Sequence, residues 1–287
     1  MKVAKMIREI SSEKITETVR ELFISANYKL GEVEHSLINE SLKTETSATG
    51  RAVMQTISDN LKAAEEISVP ICQDTGMAIL FAEIGQDVHI TGENFVDAVN
   101  KGVSLAYTEG RMRASVVRDP LFDRVNTKDN TPAIIHTSIV PGDKITLIAL
   151  PKGFGSENMG ALKMMVPTSS KEDIINFIVE SVKKAGSNPC PPIMVGVGIG
   201  GSFDYAPLLA KKALARNGKT RNPNPTYAEL EDELLKRINE LDIGPQGFGG
   251  STTALAVNVE YYPTHIAGLP VAVNINCHVM RHATAVL

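Results

Sequence analysis

Three cysteines, Cys72, Cys190 and Cys277, are the residues of this 287-residue chain whose types and surroundings point most directly to chemistry. No two form a C-x-x-C pair, which excludes a zinc ribbon or a thioredoxin-type motif. An odd number in a chain with no secretion signal argues against a disulfide framework. Each sits at a junction. Cys72 lies in VPICQDTGMAI, between a helix and a strand. Cys190 lies in NPCPPIMVG, among three prolines and just before a strand. Cys277 follows AVNIN at a strand end. Proline locks φ, so Pro189, Pro191 and Pro192 would hold the Cys190 thiolate in place. Three placed thiolates suit an iron–sulfur cluster, whose ligands are normally cysteines, usually four. With three, one iron of a [4Fe–4S] cube lacks a protein ligand, and an open position is what a Lewis-acid catalyst requires. Three cysteines with His278 or His265 would equally make a closed zinc site. The plain alternative is three small buried hydrophobes.

Three glycine-rich loops accompany the cysteines: PKGFGSENMG (151–160), VGVGIGGSF (195–203) and GPQGFGGSTT (244–253). Glycine admits φ > 0 and lets the backbone approach a ligand, and successive N–H groups then form a nest for an anion. Gly196, Gly198 and Gly201 also spell G-x-G-x-x-G after an apolar run. A dinucleotide fold needs a second strand ending in an acid after the helix. Here NGKTRNPNPTYAELEDELL follows, polar and broken by proline, so the spacing is read as a decoy. GPQGFGGST lacks the lysine of a phosphate loop.

The elements that must position these groups follow from periodicity. Ile15, Val19, Leu22 and Phe23 share one helical face, and Gly31 ends that pattern. Further helices are predicted from about Glu32 to Leu42 and from Gly50 to Ile67. MAILFAEIG reads as a strand, and NFVDAVNKGVSLAYTEG as a helix starting near Asn94. PAIIHTSIV and KITLIALPKG read as strands joined at Pro141-Gly142-Asp143. Asp173 to Ala185 reads as an amphipathic helix, IMVGVGIG as a buried strand, and Tyr205–Arg216 and TYAELEDELLKRINEL as helices. TALAVNVEYY and PVAVNINCHV close the chain as strands. The fold class expected is α+β: a helical first third, residues 1–70, then a mixed sheet with packed helices over 71–287, together one domain.

A net charge of −4 with no Lys/Arg run, and no Trp, disfavours nucleic acid as a partner. No window reaches 18 uncharged apolar residues, so no membrane span is expected and the chain reads as soluble and cytoplasmic.

The stretches CQDTG (72–76), NTPAIIH (130–136), KGFGSEN (152–158), GIGGSFD (198–204), GPQGFGGSTTAL (244–255) and THIAGLPVAVNINCH (264–278) resemble the class I, iron–sulfur fumarate hydratases and L-tartrate dehydratases. The resemblance runs from about residue 40 onward and is closest to the separate α subunit of two-subunit enzymes. It implies a [4Fe–4S] cluster on Cys72, Cys190 and Cys277, accounting for every cysteine. It implies substrate contacts from Gln73 and Asp74 and from Arg113, with Arg111 close enough to compete for that role. Gly155 and Asn158 match in the KGFGSEN loop, and His265 matches a histidine twelve residues before the last cysteine. In single-chain relatives further arginines, a lysine and a threonine base come from a C-terminal domain. The resemblance implies that a β subunit supplies them here, in an α₂β₂ assembly, or that the chain is inactive alone.

The implied reaction is reversible, oxygen-sensitive hydration of fumarate to (S)-malate, a step of the tricarboxylic acid cycle. Arg113 would grip a carboxylate through its guanidinium fork. Asp74 and His265 would handle protons or orient water. Asp74 could instead cap the QDTG turn, and His265 could be an ordinary core histidine. L-tartrate or a methylfumarate are alternative substrates. A metal-stabilised scaffold subunit without activity is the non-enzymatic alternative.

Overall fold

A computed structural model of the chain describes residues 7–287. In chain order the elements are β1 (Arg8–Ser11), α1 (Ser12–Tyr28), α2 (Glu32–Thr44), α3 (Ala48–Glu66), β2 (Met77–Gly85), β3 (Val88–Thr91), α4 (Phe95–Glu109), β4 (Ile134–Val140), β5 (Ile145–Lys152), α5 (Phe154–Glu157), β6 (Ala161–Met165), α6 (Lys171–Ala185), β7 (Ile193–Gly200), α7 (Tyr205–Leu214), α8 (Pro225–Asn239), β8 (Ala254–Tyr262), β9 (Leu269–Asn276) and β10 (Ala283–Val286). The fold is α+β. The helix starts follow the chemistry of exposed N–H groups. Ser11 and Asn94 cap α1 and α4, and Ser170 forms a capping box with Asp173 at α6. Among the described residues no helix is long and apolar enough to cross a membrane.

The chain forms two compact units. One holds residues 7–31, Ala64–Lys152 and Arg281–Leu287; the other holds Glu32–Ala63 and Gly153–Met280. The early helices are therefore divided: α1 belongs to the first unit, α2 to the second.

In the first unit a sheet runs in the order β10-β5-β2-β4. Ile15, Val19 and Phe23 of α1 join Val99, Val103 and Tyr107 of α4 and Leu80, Leu147 and Ala149 of the sheet in one core. The strands flanking the Pro141-Gly142-Asp143 turn do not pair with each other, as a hairpin would. β2 lies between them, parallel to β4 and antiparallel to β5. The chain leaving β2 occupies the turn's interior: Gly85 N donates to Lys144 O (2.8 Å), and Asp87 N to Gly142 O (2.9 Å). The short strands β1, β3, β6 and β10 have no counterpart in the sequence reading.

In the second unit the sheet order is β6-β9-β7-β8. Val195 and Val197 of β7 face the core shared with α6 and α8. The opposite face of β7 carries the glycines of the G-x-G-x-x-G spacing. A Cβ on Gly196 would lie 2.2 Å from Ala210 O, and one on Gly198 2.1 Å from Ala206 O. These glycines exist so that α7 can lie on the strand. The strand predicted from TALAVNVEYY, β8, lies parallel beside β7, with α8 between α7 and it in the chain. Its acid, Glu260, is engaged by Arg216 at 2.8 Å. Gly198→Ala should therefore cost about 1–3 kcal/mol through overpacking. Thermal melting checks this, at roughly 2–4 °C lost per kcal/mol; an unchanged midpoint would show that α7 has room to shift.

Candidate active site

The first unit builds the CQDTG turn. Cys72 is half-buried and its thiol donates to Gln73 Oε1 at 3.6 Å; Gln73 is exposed. Asp74 Oδ1 accepts from Gly76 N at 3.0 Å, the turn-capping bond. Gly76 has φ +78 and its backbone lies against that of Lys152, so no side chain fits there. Buried groups hold the turn from behind. Tyr107 OH donates to Thr75 O (2.9 Å) and Gly76 O (3.0 Å). Burial pushes its phenol well above the usual range, so it remains a donor. Asn130 Nδ2 donates to Gly76 O (3.0 Å), and Arg281 donates to Asp74 O (2.5 Å) and Asn27 Oδ1 (3.0 Å).

The same turn fixes Arg113. Its backbone N–H donates to Thr75 Oγ1 at 2.9 Å, which sets the RMRAS segment beside CQDTG and leaves the guanidinium exposed. Arg111 has φ +51 and no such tie to the turn is seen. The Arg113 backbone thus lies beside the turn that carries Gln73 and Asp74, within one unit.

The second unit gathers two thiols at one end of its sheet. Cys190 precedes β7, and Cys277 follows the antiparallel β9. His278 N donates to Cys190 O at 3.4 Å, and its ring Nδ1 lies 3.0 Å from the same oxygen. Cys190 is exposed, with φ +54, a strained value for a residue with a side chain. The KGFGSEN loop borders it. A Cβ on Gly155 would lie 3.4 Å from Asn188 O, and Asn188 O is itself 4.0 Å from the Cys190 sulfur. Gly155 and Asn158 are both exposed. Glu157 between them pairs with Lys211 and accepts from Asn274 Nδ2 at 3.1 Å, which anchors the loop to α7 and β9. Burial lowers the Lys211 pKa, and Glu157 opposes that shift.

His265 is elsewhere. It follows β8, which runs parallel to β7, so it stands at the opposite end of this sheet from Cys190 and Cys277. Thr264 Oγ1 donating to Gly201 O at 2.9 Å marks that end. The eight-residue β7 puts roughly 25 Å between the two ends. His265 is exposed and its Nδ1 accepts from Ala267 N at 3.1 Å.

Thiolates are the donor type that an iron–sulfur cluster takes. All three cysteines are free of disulfides. Among the described residues no three His, Cys, Asp or Glu side chains are grouped as ligands of one metal ion.

Residues the sequence reading passed over carry much of this geometry: Asn130, Tyr107, Arg281, Glu45 and Gln246. Asn130 and Gln246 stand inside quoted motifs, NTPAIIH and GPQGFGGSTTAL, where neighbouring residues drew attention.

The family described as Fumarate hydratase (Fumerase) matches residues 16–286, and the chain belongs to that family of hydro-lyases. It is 42% identical to a Methanocaldococcus jannaschii protein provisionally named L(+)-tartrate dehydratase subunit alpha, over 94% of this chain and 96% of that one. Escherichia coli and Shigella sonnei proteins named L(+)-tartrate dehydratase subunit alpha are each 31% identical, over 94% of this chain and 90% of theirs.

Proposed function

We propose that this chain is the α subunit of a hydro-lyase that interconverts a 2-hydroxydicarboxylate and its unsaturated product, with fumarate and (S)-malate as the pair. The observation that carries this is the pairing of Cys190 and Cys277 at one sheet end, beside the exposed Gly155 loop. Cys72, Cys190 and Cys277 would hold a [4Fe–4S] cluster, which when bound supplies a Lewis acid for the leaving hydroxyl. The chain's own groups do the rest. Arg113 binds a substrate carboxylate through charge-assisted hydrogen bonds, with its backbone already fixed by Thr75. Gln73 and the Gly155 N–H add donors that orient the substrate. Asp74, whose Oδ1 accepts from Gly76 N, is the carboxylate that would receive a proton or align water. His265 stands at the far sheet end from Cys190 and Cys277, so its part in proton handling is proposed toward another chain.

The relatives' names favour a second substrate, L-tartrate, and their designation as alpha subunits favours a β partner; that partner is proposed to bring the base for the C3 proton in an α₂β₂ enzyme. The cytoplasm, with its low oxygen exposure of such a site, is the compartment this chemistry suits. Anaerobic assay of the chain co-purified with its partner, against (S)-malate, L-tartrate and a methylmalate, decides among these. Malate turnover at the highest kcat/KM is expected. A tenfold or greater preference for tartrate, about 1.4 kcal/mol, would replace fumarate as the product. No turnover of any of them by cluster-loaded complex would leave the scaffold reading.

A further inference from the structure

Gln246 occupies a position that its motif does not explain. It sits in the GPQGFGGSTT loop with φ +54 and ψ +16, a conformation that glycine would adopt without strain. Its backbone N–H and its side-chain Nε2 both donate to Pro191 O, each at 2.7 Å. The same Nε2 lies 3.2 Å from His278 Nδ1, which in turn lies 3.0 Å from Cys190 O. The amide has two hydrogens, so it can serve Pro191 and the ring together. If Nδ1 carries the proton, the ring donates to Cys190 O instead; in either tautomer one imidazole atom meets both segments. A single side chain therefore touches the residue after one thiol and the residue after the other.

The loop carrying Gln246 is itself anchored. Glu45, at the α2–α3 junction, is only 2% exposed. Its Oε1 accepts from Ser47 N (2.8 Å), Ser251 N (2.9 Å) and Ser251 Oγ (3.2 Å), and its Oε2 accepts from Thr252 N (2.8 Å). Burial alone would raise its pKa, but the bonds from Ser47, Thr252 and Ser251 outweigh that and hold the carboxylate below its usual range. A Cβ on Gly250 would sit 2.6 Å from Glu45 Oε1, so the loop closes directly on the carboxylate. Strained backbone of this kind persists where the surroundings over-determine it.

We propose that Gln246 is a positioning residue that locks the Cys190 and Cys277 segments to each other, and that Glu45 holds Gln246's loop in place for that purpose. The part that concerns cluster retention rests on the cluster reading above; the locking of the two segments does not. Residues that orient metal ligands typically change metal affinity by about 10–100-fold when removed.

Gln246→Met keeps the length of the side chain and removes both donors. In the apo chain, hydrogen exchange of residues 187–193 and 277–280 should quicken about tenfold, with β8 unchanged and the melting point within a few degrees. In anaerobically reconstituted protein, iron should pass to a chelator about tenfold faster, and the electron paramagnetic resonance signal of the reduced cluster should broaden or shift. Glu45→Gln should move all three in the same direction. If Gln246→Met does not fold, Gln246→Asn, which keeps the amide but ends one methylene short, takes its place. Wild-type exchange in both segments overturns the proposal, as does wild-type iron release where a cluster forms. If wild-type protein takes up no iron and sulfide, the cluster reading fails, and the exchange rates alone decide the positioning role.

Discussion

Cys190→Ser should abolish the broad visible absorption of anaerobically reconstituted protein and reduce turnover of the αβ complex at least a thousandfold. A Lewis acid at the reacting oxygen contributes several kcal/mol of transition-state stabilisation; about 4 kcal/mol corresponds to roughly a thousandfold in rate. The fold should survive. Cys190 is exposed, and its backbone is held by Ser187 O and by His278. The melting point of the apo variant should therefore match the wild type within a few degrees. Serine at φ +54 meets the same backbone strain as cysteine, so any difference comes from the thiolate. Retention of full colour and iron by Cys190→Ser would remove Cys190 from the ligand set.

The second large effect concerns stability. Glu231 of α8 is fully buried and pairs with Arg216 at the end of α7. It also accepts from Asn222 N (3.0 Å) and Val259 N (2.8 Å), and Arg216 reaches Glu260 at 2.8 Å. Together these tie two helices to β8, the strand beside the one that Cys190 leads into. Glu231→Ala leaves a cation and a strand N–H without their buried partner. Breaking a buried pair in this way costs about 3–5 kcal/mol. At roughly 2–4 °C per kcal/mol the midpoint should fall by about 10 °C. Replacing both Glu231 and Arg216 by methionine should cost less than Glu231→Ala alone, because no uncompensated charge remains. A midpoint within about 2 °C of wild type for Glu231→Ala would show that water reaches Arg216 and replaces the carboxylate.

Much of this architecture is legible in the residues. IMVGVGIG is wholly buried between helices, so it reads as a continuous apolar run; Asn94 caps α4 because its short amide reaches Val96 N. The cysteine junctions are visible because proline and glycine punctuate them. What escapes is pairing across distance. VHIT and REIS, the short strands β3 and β1, are too short and polar to show a period. The placement of β2 between β4 and β5 depends on which backbone fills a turn, which local sequence does not encode. Arg281, Asn130 and Gln246 act on backbone carbonyls far along the chain, and such acceptors carry no side-chain signature. His265 illustrates the converse. Twelve residues separate it from Cys277, yet β9 runs between them and carries them to opposite ends of a sheet.

Three thiolates of this chain are proposed to hold an open iron–sulfur cluster in a hydro-lyase. Iron, acid-labile sulfide and zinc measured per chain in anaerobically purified protein test it most directly. About four iron and four sulfide per chain are expected, the content of one cube. One zinc per chain without sulfide would contradict it.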